Sequence, residues 1–332
     1  MKISITSPTR VDLAGGTLDC WPLFLLLPRR RCQTVNLSID INTNVELVPG
    51  KDSVVHVAIS DYNYSKTFNN LDELLQCNDK ALVLIKEHVA FWMPQTGFTL
   101  TTQSQSPVGG GLGGSSSLSI SLLKAFSKWQ ERPLEINKLV YLAHNIEARV
   151  LQTPTGTQDY FPAAEPGLHI IDYSVEGPES EILKPDATYL QERMVLVYTG
   201  VPHHSGINNW QVIKESIARN QNTLSALEEV ADIADQVAQV CRQGQWNELA
   251  PLFEREFQAR VRLSAGFSSP EIEQLRGHVL QAGAKAVKIC GAGGGGCVMI
   301  WTEPDRRSEV LQACQKNNFQ VLDAKPVVRP QE

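Results

Sequence analysis

Residues Pro107 to Ser121 read PVGGGLGGSSSLSIS. Gly109, Gly110, Gly111, Gly113 and Gly114 run into three hydroxyls, Ser115, Ser116 and Ser117. Leu118, Ile120, Leu122, Leu123, Ala125 and Phe126 follow at a spacing that fits a helix. Glycines let a backbone turn through positive φ and approach a ligand closely. The first amides of a helix lack internal partners and sit at the positive end of its dipole, so this junction suits an anion such as phosphate. Serines there cap the helix or offer oxygen to phosphate or Mg²⁺. Farther on, Glu147 lies near the end of a predicted helix, and Asp159 stands beyond the Pro-Gly loop Thr153 to Gln158. Such acids are commonly exposed surface. Beside a phosphate loop, however, phosphoryl transfer needs one carboxylate on a metal ion and another to receive the acceptor's proton.

Two familiar phosphate loops are excluded. A P-loop requires lysine directly after its last glycine, where this chain has Ser115. Gly109, Gly111 and Gly114 do satisfy G-x-G-x-x-G. A dinucleotide fold opens with that loop, whereas here it lies a third of the way along, and its acidic ribose partner would be Glu131 in the turn KWQERP. A second polar cluster lies near the N-terminus, where Arg10, Asp12 and Asp19 surround Gly15-Gly16 in PTRVDLAGGTLDCWP. It reads either as a tight turn with an internal ion pair or as a cleft wall where the glycines admit a polyhydroxyl ligand.

The elements that must position these groups alternate between strand and helix. Ile3 and Ile5 predict a short strand ending at Ser7-Pro8. Thr34 to Val48 alternates as a strand or a hairpin, and Val54 to Ile59 and Phe98 to Thr102 as strands; Leu71 to Leu75 and Leu82 to Trp92 read as helices. A helix carrying Leu139, Leu142, Ala143, Ile146 and Val150 ends before Pro154. Strands are expected around Gly167 to Asp172 and Val195 to Tyr198. The second leads into TGVPHHSGINNW, a substrate loop or a polar turn, in which adjacent His203 and His204 lack metal-ligand spacing. Asn208 to Arg242, Trp246 to Leu263 and Pro270 to Gln281 read as helices. Then come a strand, the glycine run Gly291 to Gly296 and another strand. Such a run is costly unless two backbones must approach closely. A helix at Arg306 to Lys316 and a strand at Phe319 to Ala324 complete a small split β-α-β unit.

With 332 residues the chain is long enough for two domains. Apolar residues make up 42% and charged residues 20%, the balance of an ordinary globular protein. The net charge of −6 comes without a basic stripe, so neither nucleic acid nor membrane is expected as a partner. Seven scattered cysteines with no C-x-x-C pair read as reduced thiols, and no signal core or spanning segment is evident, so a cytoplasmic location is expected.

Three motifs in this order, SPTRVDLAGGTLD, PVGGGLGGSSSLS and KICGAGGGGCVMI, resemble the galactokinase, homoserine kinase, mevalonate kinase and phosphomevalonate kinase (GHMP) superfamily, and the likeness covers essentially the whole chain. TRVDLAGGTLD, PTGTQDYF and YTGVPHHSGI look like the sugar 1-kinase branch of heptose 7-phosphate kinases and fucokinases. Gly15-Gly16-Thr17 replaces the Gly-Glu-His of galactokinases, and Arg10 replaces the lysine of mevalonate kinases. The resemblance implies a two-domain α+β fold. An N-terminal domain like ribosomal protein S5 domain 2 (1–188) would bind the nucleotide, followed by a ferredoxin-like domain (189–332).

It also implies site residues. Pro107, Gly109, Gly110, Gly111, Leu112, Gly113, Gly114, Ser115 and Ser116 would wrap ATP phosphates, with Gly293 and Gly294 from the third motif shaping the cleft. Ser115 and Glu147 would hold Mg²⁺, Asp159 would be the catalytic aspartate, and Arg10 would stabilise the nucleophile. Arg10, Gly15, Gly16, Thr17, Asp19, Gly156 and Asp159 would form the sugar site. PTGTQD has one residue more between Gly and Asp than mevalonate kinases have. The expected reaction carries the γ-phosphate of ATP to a sugar hydroxyl, the anomeric one of a heptose 7-phosphate or related aldose, in a monomer or homodimer. The competing readings are a non-catalytic sugar- or nucleotide-binding regulator and a kinase for a non-sugar alcohol. Arg29, Arg30 and Arg31 either bind a distal substrate phosphate or form a solvated charge run.

Overall fold

The structure is a computed structural model and describes residues 1–202 and 205–328, with the side chains of 205–207 excluded; His203 and His204 lie outside the described residues. Eleven strands among them form two sheets. The larger contains β1 (Ile3–Ala14), β2 (Cys32–Pro49), β3 (Val55–Ile59), β4 (Tyr64–Phe68), β5 (Phe98–Ser104), β6 (Leu168–Ser174) and β7 (Gly177–Leu183), in the order β4-β3-β5-β2-β6-β7 with β1 on β2. The smaller contains β8 (Met194–Tyr198), β9 (Ala286–Ile289), β10 (Cys297–Trp301) and β11 (Gln320–Leu322), antiparallel in the order β11-β8-β10-β9.

The long strand β2 organises the larger sheet. Cys32 to Leu37 pair with β6, Thr43 to Pro49 pair with β5, and β1 runs beside both halves. Here the structure corrects the expectation for β1, which does not stop at Ser7-Pro8 but continues to Ala14. A register shift between Pro8 and Thr9 absorbs the missing proline donor. Thr9 to Ala14 are therefore a buried strand rather than a turn, and Arg10 and Asp12, two residues apart, share one face of it.

Helices Gly114–Trp129 and Gln221–Gln243 both pack on β1 and β2. The serine-rich start of the first is a small-residue face. Ser117 Oγ lies 2.7 Å from Thr43 Oγ1 and donates to the Ser7 carbonyl at 3.0 Å, and Ser119 meets His88 at 2.9 Å. No serine caps this helix. Gly113, at φ +72°, occupies the cap position without a side-chain bond, and the first turn is left to other partners.

Other differences have local causes. The segment Asn208 to Arg242 is two helices, Ser205–Ile217 and Gln221–Gln243. Arg219 takes a left-handed φ of 58° between them, and Asn220 caps the second by accepting from Asn222 and Thr223. The edge strands β4 and β7 and the helix Ala187–Arg193 have no clear signal in the sequence; an edge strand such as GPESEIL carries little apolar alternation. None of the seven cysteines is disulfide-paired. Among the described residues no helix is long and apolar enough to cross a membrane.

Candidate active site

The glycine loop, the first turn of Gly114–Trp129, the end of Ile136–Leu151, the loop before Asp159 and the turn after β1 surround a cleft of about 400 Å³. Arg10 is its hub. Its guanidinium donates from Nε (2.8 Å) and Nη2 (2.5 Å) to Asp159 Oδ1, and from Nη1 to the Gly111 carbonyl at 2.7 Å. Its own amide donates to the Leu112 carbonyl at 3.1 Å. One strand residue thus ties the glycine loop to the carboxylate opposite it. A Cβ on Gly113 would lie 3.0 Å from the Asp159 carboxyl, so only glycine lets loop and acid come this close.

Glu147 is buried at 4% exposure near the end of Ile136–Leu151. It accepts hydrogen bonds from Ser115, from Ser116 at 2.8 Å and from Tyr160 at 2.5 Å. Burial raises its pKa, against the pull of those hydroxyls. Among the described residues no basic side chain pairs with it. A buried carboxylate ringed only by hydroxyls, at the mouth of a phosphate-type loop, is suited to a hard cation.

Asp19 is equally buried. Its Oδ2 accepts the Gln158 amide at 3.1 Å, and a Cβ on Gly156 would collide with it. Burial first, then the charge of Asp159, raises its pKa to about 6. Thr17, at φ +87°, donates to Asn209 at 3.1 Å and accepts from Arg260 at 3.3 Å.

Most expected residues therefore converge: Pro107, Gly109, Gly110, Gly111, Gly113, Gly114, Ser115 and Ser116 line the cleft, as do Arg10, Thr17, Asp19, Glu147, Gly156 and Asp159. Five do not. Leu112 is buried beneath the loop and contributes a carbonyl. Gly15 and Gly16 are glycines for packing. A Cβ on Gly15 would strike the Gln33 carbonyl, and one on Gly16 would strike Asp12 and Arg260. Gly293 and Gly294 lean on the backbone of Phe267 and Gly266, while their neighbours Gly291 and Ala292 reach the cleft. Arg29 and Arg31 are occupied by ion pairs with Asp232, Asp235 and Asp172.

Several lining residues had no signal in the sequence. Asn209 and Arg260 sit inside helices, where single polar residues look like surface, and Gln158 has no feature of its own beside Asp159. Tyr62, Leu84, Ile85 and Val108 also line the cleft, with Asp61, Ser104 and Ser106.

A family model described as the GHMP kinases N terminal domain matches residues 76–167, and one described as GHMP kinases C terminal matches 237–320. The chain is 24% identical to the D-glycero-alpha-D-manno-heptose 7-phosphate kinase of Campylobacter jejuni, over 97% of this chain and 95% of that protein. It is 23% identical to the mevalonate kinase of Methanocaldococcus jannaschii, over 88% of this chain and 92% of that one. Among solved structures, a D-glycero-D-manno-heptose 1-phosphate kinase from Bacteroides thetaiotaomicron superposes with a TM-score of 0.80 at 22% identity, covering 99% of this chain and 97% of the other.

Proposed function

The chain belongs to the GHMP kinases, and from that premise we propose that it transfers the γ-phosphoryl group of ATP to the anomeric hydroxyl of an aldose, a heptose 7-phosphate or a close relative. One observation carries this most: Arg10 holds Asp159 against Gly113, so the acid faces the end of the glycine loop, where the helix begins. The sugar class draws on the likeness to heptose phosphate kinases and on the polar acceptor end formed by Asp19, Thr17, Gln158 and Asn209. We take 1–188 as the nucleotide-binding unit and 189–332 as the second unit.

In this reading the nucleotide base lies against Tyr62 and Val108 of the cleft wall. The glycine loop and the uncapped amides of Gly114–Trp129 cradle the phosphates. Ser115 and Glu147 would hold Mg²⁺. Their oxygens fit that ion, which takes one or two carboxylates and fills its other positions with water and phosphate, so no cage of three acids is needed. When bound, Mg²⁺ neutralises charge on the transferring group. Asp19 accepts a hydrogen bond from a sugar hydroxyl and orients the ring. Asp159, fixed by Arg10, accepts or orients the proton of the attacking hydroxyl.

The test is ADP release over a panel of free and phosphorylated aldoses with mevalonate included, with NMR locating the new ester. Asp159→Asn is expected to lower kcat at least about a hundredfold while ATP still binds, and Glu147→Gln to raise the Mg²⁺ requirement. Near-normal turnover in the first variant removes Asp159 from the mechanism. Release with mevalonate but no aldose moves the acceptor outside the sugars.

A further inference from the structure

A second cavity, of about 870 Å³, opens from the acceptor end of the cleft. Asp19 and Thr155 line both spaces, whereas the base-end residues Tyr62 and Val108 line only the first. The annex runs along one stripe of the helix Ile136–Leu151, through Asn137, Tyr141, His144, Asn145 and Ala148, while the neighbouring Glu147 serves the cleft. Its other walls come from the segment after Asp19 and from the β6–β7 turn. The annex is about twice the size of the cleft that must also take a nucleotide. It is therefore much larger than the space left for one sugar ring.

Its chemistry is mixed. Trp21 and Tyr141 line it while remaining 63% and 59% exposed, unusual for large aromatics that no other segment covers. The buried Tyr173 hydroxyl stands near Thr34 and Thr157 without a hydrogen bond of normal geometry. Flat aromatic faces for C–H surfaces, together with one unmatched hydroxyl, are the recognition chemistry of a polyhydroxylated chain. Lys138, whose ammonium lies 5.7 Å from the Tyr141 ring centroid, lines the annex too, against the carboxylates Asp19 and Glu176.

We propose that the annex is a subsite for the distal part of an acceptor longer than a hexose, with Trp21 and Tyr141 stacking on its carbon chain. The proposal rests on the sugar kinase reading and adds which end of the acceptor is read, and by what. It predicts selection on length, with or without a terminal phosphate.

The experiment compares kcat and KM for D-mannose, D-glycero-D-manno-heptose and its 7-phosphate in wild type, Trp21→Ala, Tyr141→Ala and Lys138→Ala. Wild type should prefer both heptoses to mannose. The two aromatic variants should raise KM for both heptoses roughly tenfold, about 1.4 kcal/mol, leaving kcat, the ATP KM and the mannose KM unchanged. An effect of Lys138→Ala confined to the 7-phosphate would place a phosphate beside Lys138 and show that its contact with the Tyr141 ring is not needed for stacking. Equal losses on mannose and the heptoses, or none on either, would overturn the annex while leaving the kinase reading standing. No turnover of any of the three, with ATP bound, would remove both.

Discussion

Asp159 and Asp19 were both visible as acids in suggestive loops, but their neighbours were not. Arg10, read as one member of a cluster with Asp12 and Asp19, bonds instead to Asp159, across 149 positions of chain. That separation is why the pair was illegible: nothing local in TRVDLAGG or PTGTQD names the other. Asp19 carries a consequence for pH. Its carboxyl is neutral below about 6, because burial and Asp159 favour the protonated form. A neutral carboxyl is a weaker acceptor for a sugar hydroxyl. The acceptor Kd, measured without nucleotide, should therefore rise as pH falls through about 6, by about tenfold. Asp19→Asn should bind weakly and show no such dependence. A wild-type Kd flat across that interval would remove Asp19 from acceptor recognition.

At the scale of elements, the two glycine stretches explain each other. The run between β9 and β10 is expected to mark a close approach of backbones, and the backbone it approaches is the first glycine loop itself. A Cβ on Gly291 would lie 2.8 Å from the Gly111 carbonyl, and one on Gly296 would lie 2.9 Å from those of Gly109 and Gly110. The Cys297 amide donates to the Gly110 carbonyl at 2.7 Å. The third motif thus buttresses the loop from behind. Gly296→Ala, at φ +73°, should cost roughly 1–2 kcal/mol for the left-handed backbone alone and should raise the ATP KM by displacing the loop. Gly177→Ala is the control, since its φ of +106° is strained but its Cβ would meet open space. It should lower stability in urea unfolding and leave the ATP KM unchanged. Equal ATP KM values for Gly296→Ala and wild type would refute the buttress.

Across the whole molecule, the two sheets are joined under the cleft by a buried charged network. Asp12 of β1 meets Arg260 at 3.2 Å and Lys288 of β9 at 3.6 Å, and Lys288 meets Glu256 at 2.8 Å. Glu256 accepts the Gly15 amide at 3.1 Å, and Arg260 donates to the Gly291 carbonyl at 2.7 Å. All four side chains are essentially inaccessible to water. Removing one partner from such a set leaves a buried charge uncompensated. Arg260→Met should destabilise by about 3 kcal/mol in urea unfolding. Adding Asp12→Asn should restore part of that loss, because the stranded charge goes with it. A double variant as unstable as the sum of the two singles would show that Arg260 acts by packing alone.

The sequence by itself determined the glycine-serine loop, the order of most elements and the pairing of that loop with Glu147 and Asp159 at one cleft, because those signals are local: glycine runs, helical spacing, acids flanking a tight loop. It determined nothing of Arg10's partner, the reach of β1 past Pro8, the service of Gly15 and Gly16 to packing, or the presence of Asn209 and Arg260 at the cleft. Those were decided by tertiary structure. A strand's length depends on the neighbour it pairs with, and a buried charge is defined by whatever distant group arrives to meet it.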